Sequence, residues 1–223
     1  MSARVGVVLS GCGVFDGSEI TEAVSILIAL DKRNAKIVCM APNIAQSETT
    51  NHTTKKPDSN NRRVLEEAAR IARGNIRDMA DVRADELDAL VFPGGYGAVK
   101  NLSTFAADGP ACKVNDQVER LLREMVKSKK PVGLACIAPV LAARVLGSAG
   151  LNPKLTVGTD QQTADAICAM KGEHQNTGET DICIDEANRL VTTPCYMNNV
   201  GPWIVYQGAE KMVEAVLKLA GSR

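Results

Sequence analysis

The stretch PVGLACIAPVLAA, residues 131–143, decides how the chain reads. PVGLA is a short apolar run with no alternating polar residue, the pattern of a strand buried on both faces. IAPVLAARVLG follows as a helix of mostly small and apolar residues, with Pro139 in its first turn, where a missing N–H costs little. Between the two stands Cys136, three positions after Gly133. Such a thiol packs as a small hydrophobe, or the turn is a nucleophile elbow that lifts it above the sheet edge. In the second case the positive helix end and unpaired N–H groups are expected to lower the thiol pKa toward neutral.

The same strand-then-helix grammar runs outward in both directions. RVGVVLSG (4–11) is a buried strand, and the glycine-rich GCGVFDGS (11–18) leads into EITEAVSILIALDKR (19–33). There Ile20, Val24, Leu27, Ile28 and Leu30 recur at helical spacing and are expected to form the core face. Ser18 is the expected N-cap, with Glu19 and Glu22 in the first turns, where carboxylates suit the helix dipole. AKIVCMAP and ELDALVFPGG repeat the buried-strand pattern. RVLEEAARIARG and CKVNDQVERLLREMVKSKK read as helices. TDICIDEANRLVTTP reads as two short strands about a turn, and GAEKMVEAVLKLAG as a closing helix. Residues 43–63 are polar and without a core face: a solvated loop or small hairpin, or an insertion carrying His52 over a site. Strands alternating with helices predict an α/β fold with a mostly parallel sheet, residues 1–223 forming a single domain.

Composition narrows the function. Lys plus Arg and Asp plus Glu number 26 each, so no global field recruits nucleic acid or an anionic membrane. Aromatic residues at 3% give no stacking platform for single strands. No apolar run is long enough to span a membrane. Seven cysteines without a CxxC pair, and no room for a leader before the first strand, point to a reduced intracellular chain. The cytoplasm is the expected location, with the mitochondrion as the alternative if a transit peptide has been removed. His52 and His174 stand far apart and belong to no metal-ligand motif, so no metal is expected. Gly11-x-Gly13 is followed by Asp16 where a dinucleotide fingerprint needs Gly or Ala, so no nucleotide cofactor is expected either.

Ligands of open α/β sheets sit beyond the carboxyl ends of the strands. Three loops converge there: 10–18, 93–98 and 135–138. A thiolate attacking a carbonyl needs donors for the developing oxyanion, which the N–H groups of PGGYG (Gly94, Gly95) and of Ile137 can supply. Glu22 or Glu19 is the candidate proton partner. Ionised beside Cys136 it opposes the thiolate; held protonated by burial it donates to it. The other six cysteines read as packing residues, with Cys12 and Cys195 near strand ends as redox neighbours at most.

The segments SGCGVFDGSEITEAV, RGNI, ELDALVFPGGYGAVKNLS, CIAP, GTD and VTTPCYM together resemble the enhancing lycopene biosynthesis protein (glyoxalase-like) family. That family is a branch of the class I glutamine amidotransferase-like superfamily, with the Parkinson disease protein seven relatives. The resemblance implies a three-layer flavodoxin-like sandwich, helices on both faces, and a homodimer. It places the nucleophile on Cys136, its acidic partner on Glu22 with Glu19 as second choice, and the oxyanion donors on Gly95 and Ile137. The implied activity is weak conversion of glyoxal to glycolate without glutathione, metal or other cofactor. Ile137 stands directly after the cysteine, where many relatives carry histidine, and His174 begins His-Gln-Asn rather than a His-x-Glu. No glutaminase activity is therefore expected. The same thiol can alternatively serve as a redox sensor or chaperone-like element.

Overall fold

A computed structural model describes residues 2–221. Its centre is a seven-stranded sheet built from β1 (Arg4–Val8), β2 (Lys36–Ala41), β5 (Arg77–Asp78), β6 (Ala89–Phe92), β7 (Val132–Ala135), β10 (Cys183–Asp185) and β11 (Leu190–Thr193). The strand order is β10-β11-β7-β6-β1-β2-β5, parallel except for β10, which pairs antiparallel with β11. Two small ribbons stand apart: β3 (Thr49–Asn51) with β4 (Lys56–Asp58), and β8 (Lys154–Leu155) with β9 (Glu173–His174).

The helices are α1 (Ile20–Asp31), α2 (Val64–Ile71), α3 (Tyr96–Lys100), α4 (Phe105–Asp108), α5 (Asp116–Lys127), α6 (Pro139–Ser148), α7 (Gln161–Ala169) and α8 (Pro202–Gly221). They cover both faces, and the pleat sends alternate strand residues to each. Val5, Val7, Ala89, Val91 and Ala135 join the apolar side chains of α1, α2 and α8 on one face. Val8, Leu90, Phe92, Val132 and Leu134 join those of α5, α6 and α7 on the other. The result is the expected three-layer α/β sandwich with a flavodoxin-like, mostly parallel sheet. Among the described residues, no helix is long and apolar enough to cross a membrane.

Within the polar segment 43–63, β3 and β4 form a small hairpin, one of the forms expected for it. Three expectations are corrected. The helix expected over 112–130 starts later, because Asn115 accepts from the N–H groups of Gln117 and Val118 and caps α5 there. At α1 the cap is Glu19, whose carboxylate accepts the Glu22 N–H at 2.7 Å, while the Ser18 hydroxyl takes the Ser10 N–H. Of the five residues expected on the core face of α1, only Leu30 is buried. Ile20, Val24 and Ile28 are 47%, 39% and 49% exposed, and Glu22, Ala23, Ser25, Ile26, Ala29 and Leu30 face inward.

Candidate active site

The expected loops do meet at the carboxyl edge of β1, β6 and β7. Glu19 donates its N–H to Gly94 O, Tyr96 to Val14 O and Gly97 to Gly17 O, stitching loop 10–18 to the turn after β6. Gly94 is fixed by space. A Cβ there would lie 2.5 Å from Cys136 Cβ and 2.8 Å from Glu22 Oε2, so only glycine lets thiol and carboxyl approach the backbone between them. Gly95 sits at φ 93°, a conformation that side chains disfavour.

Cys136 occupies the single-residue break between β7 and the turn into α6, at φ 58°. A left-handed backbone costs a residue with a Cβ about 1–2 kcal/mol, which the surrounding structure must supply. Part of it comes from the Cys136 N–H, which donates to Thr193 O at 2.9 Å across the β7–β11 pairing. Only 8% of the residue's surface is exposed.

Glu22 is wholly buried in the first turn of α1. Its Oε2 accepts the Gly94 N–H at 2.9 Å, its Oε1 accepts the Tyr196 N–H at 3.3 Å, and it shares a hydrogen bond with the Cys136 thiol. Burial, then the nearby Glu19 carboxylate, push the Glu22 carboxyl up to about 7, against the opposing pull of these hydrogen bonds.

The thiol moves opposite to the expected direction. Burial raises Cys136 well above the ordinary thiol value; the Glu22 charge, the nearby Cys195 and the Glu22 hydrogen bond add to it, and only the Gly95 N–H on the sulfur pulls back. The helix end cannot compensate. Pro139 opens α6 without an N–H, and the Cys136 N–H is already spent on Thr193. Thiol and carboxyl therefore titrate as a pair. Once Glu22 holds its proton, near neutral pH, the charge opposing the thiolate disappears and the same carboxyl donates to sulfur.

The remaining expected residues divide. Glu19 caps α1 and acts on Glu22 through its charge. Gly94 serves the carboxyl and Gly95 the sulfur. Ile137 has an N–H with no acceptor in the protein among the described residues. His52 lies on the hairpin against loop 13–16. Its ring lies 5.1 Å from that of Phe15, tilted by 42°, its Nε2 accepts the Phe15 N–H at 3.3 Å, and that nitrogen is 3.9 Å from Oδ1 of buried Asp16. Its partners are Phe15, Thr50 and Asp16, not Cys136 or Glu22. Sequence reasoning missed the Tyr196 N–H and the Thr193 carbonyl, since any residue carries such groups and nothing local marks them. An open groove of about 610 Å³ between Thr159, Gln175, Asp181 and Lys211 includes neither member of the pair.

A flavodoxin-like sheet with a cysteine at the β7–α6 break and a buried glutamate against it defines a class I glutamine amidotransferase-like protein. No protein-family model matches the chain. It is 45% identical over 229 residues to the mitochondrial ES1 protein homolog of Rattus norvegicus, spanning 98% of this chain and 85% of that protein. Identity is also 45%, over 230 residues, to the mitochondrial glutamine amidotransferase-like class 1 domain-containing protein 3 of Homo sapiens, covering 99% and 84%. Among solved structures, an isoprenoid biosynthesis protein with an amidotransferase-like domain from Ehrlichia chaffeensis superposes with a TM-score of 0.89 at 34% identity, over 96% of this chain and 99% of that one. The chain belongs to this ES1-type, amidotransferase-like family, the one its motifs resemble. Glyoxalase III of Candida albicans, at a TM-score of 0.62 and 15% identity over 97% of both chains, shares the fold.

Proposed function

We propose that the protein is a cofactor-independent, glyoxalase-like enzyme that converts small dicarbonyls such as glyoxal to hydroxy acids. The observation that carries this reading is the buried Glu22 carboxyl, with a pKa of about 7, hydrogen-bonded to the Cys136 thiol. In this mechanism the Cys136 thiolate adds to one aldehyde to give a hemithioacetal. Glu22 moves a proton between carbon and oxygen, and the resulting thioester is hydrolysed to glycolate. The N–H of Ile137, with that of Gly95 released from sulfur as the carbon bond forms, receives the oxyanion. The test is glyoxal consumption and glycolate formation followed by NMR in wild type and Cys136→Ser. Equal rates in the two would sink the reading.

Two coarser proposals accompany it. The exposed stripe Ile20, Val24 and Ile28 on α1 supports a homodimer formed through that helix, which sedimentation velocity measures directly. The rat and human relatives carry a mitochondrial designation, which favours the mitochondrion over the expected cytoplasm. Subcellular fractionation decides between them. A second chemical reading, in which the same thiol senses oxidants, is favoured by Cys195.

A further inference from the structure

Cys195 is a second buried thiol at the same sheet edge, and the dicarbonyl chemistry makes no use of it. β7 and β11 pair in parallel with Ala135 opposite Thr193, so Cys136 follows the last paired residue of one strand by one position and Cys195 that of its neighbour by two. Both cysteines belong to the apolar cluster under α1 and α8, and both leave their strands in the left-handed conformation, at φ 58° and φ 45°. Two hydrogen bonds hold this geometry. Cys136 donates its N–H to Thr193 O, and Tyr196, next to Cys195, donates its N–H to Glu22 Oε1 at 3.3 Å. Glu22 is therefore bonded to one thiol and to the residue adjoining the other, and its charge raises the pKa of both.

Their exposure differs in a way that sets an order of events. Cys136 keeps 8% of its surface open and Cys195 keeps none. A small oxidant reaches Cys136 first, and Cys195 is met only from inside. The other candidate near a strand end, Cys12, faces Glu67, Arg70, Asp16 and Arg62 instead, and Glu22 is not among its neighbours.

We propose that Cys195 is the resolving thiol of Cys136, so that the pair closes to a reversible disulfide when a hydroperoxide oxidises the site. The proposal rests on the reactive Cys136 of the preceding section and is independent of glyoxal as substrate. In the first step the thiolate attacks the peroxide, an S–O bond forms and the O–O bond breaks. Sulfur gives up two electrons, and the leaving alkoxide takes the Glu22 proton, yielding Cys136 sulfenic acid and an alcohol. In the second step the Glu22 carboxylate takes the Cys195 proton and the Cys195 thiolate attacks Sγ of Cys136. The S–S bond forms as S–O breaks, and the departing hydroxide leaves as water with the proton from Glu22. One carboxyl thus serves both steps and ends as it stood between them.

The experiment treats the purified full chain with tert-butyl hydroperoxide. It reads intact mass, iodoacetamide labelling of Cys136, and a peptide map without reductant. The expected result is a mass lower by two hydrogens, one linked Cys136–Cys195 peptide, and loss of labelling that a dithiol reductant restores. Cys195→Ser, with Cys195→Ala as the alternative should serine fail to fold at this apolar position, is expected to turn the product into a Cys136 carrying two added oxygens, no longer rescued by the dithiol. If the wild type itself gains two oxygens on Cys136, or links Cys136 to another cysteine, the resolving role is overturned while the reactive thiol stands. A mass unchanged by peroxide overturns both.

Discussion

Helices α1 and α5 are each twelve residues long and lie on opposite faces of the sheet, yet they bury opposite kinds of side chain. α5 buries Val118, Leu121, Leu122, Met125 and Val126 and turns Glu119 and Arg123 to solvent, where they pair at i,i+4. α1 buries Glu22 and Ser25 among alanines, with Ile26 and Leu30, and turns three large aliphatic residues outward. Hydrophobic burial alone would rotate α1 the other way. What holds it is a set of directional bonds at its first turn: Glu19 N–H to Gly94 O, and the Glu22 carboxyl to Gly94, Tyr196 and Cys136. A helix whose stripe agrees with its burial is scaffold; one whose stripe disagrees has been oriented by its site.

The largest effect that separates the two helices should be on chemistry. Cys136→Ser is expected to abolish glyoxal turnover, and Glu22→Gln to lower it by about 10²–10⁴-fold, the usual worth of a general acid–base group. Glu22→Gln also removes the charge that raises the thiol pKa, so alkylation of Cys136 at neutral pH should become faster while turnover falls. An alkylation rate left unchanged would mean that Glu22 does not act on the thiol, and one that falls with turnover would mean that it acts as a proton donor to sulfur rather than as an opposing charge. On α5, Leu121→Ala should instead cost about 2–5 kcal/mol in denaturant unfolding and leave Cys136 alkylation in the folded protein unchanged.

A pH series sharpens the same contrast. The Glu22 carboxyl moves from 4.5 to about 7 on folding, so the folded protein holds this proton more tightly than the unfolded chain. Its contribution to stability is full below about 4.5 and is lost as pH rises through about 7, a change of roughly 3 kcal/mol. Glu22→Gln should remove that slope from the pH dependence of unfolding, whereas Leu121→Ala should lower stability at every pH and keep it. The smallest effects belong to the outer faces. Arg123→Ala on α5 should cost at most about 0.5 kcal/mol. Ile28→Lys on α1 should change subunit stability by a similar amount but shift sedimentation toward the monomer. An unchanged dimer would remove the α1 stripe as its interface.

The thiol at 136 was legible because strand, turn and helix are each written in local residue types, and their junction falls on one cysteine. Glu22 was legible as a carboxylate in the first turn, and the need for burial to protonate it followed from chemistry alone. The convergence of the loops followed from strand order in any open parallel sheet. The orientation of α1 was not legible. Its isoleucines have the spacing of a core face, and nothing within the helix records that Gly94 and Tyr196 wait for Glu22 on the other side. The direction of the thiol shift was lost for a related reason: the helix-end argument counts N–H groups that Pro139 lacks and Thr193 consumes.

By itself, then, the sequence determined the alternation of strands and helices, the cysteine at the strand–helix junction, and the paired glycines that end the neighbouring strand. These depend on residue types over a few positions. Tertiary structure decided which face of α1 is buried, which backbone donors hold Glu22, and that Cys195 shares the site. Each of those depends on groups far apart in the chain, 174 positions in the case of Glu22 and Tyr196. Burial and electrostatic coupling are properties of such assembled neighbours, and no window of sequence contains them.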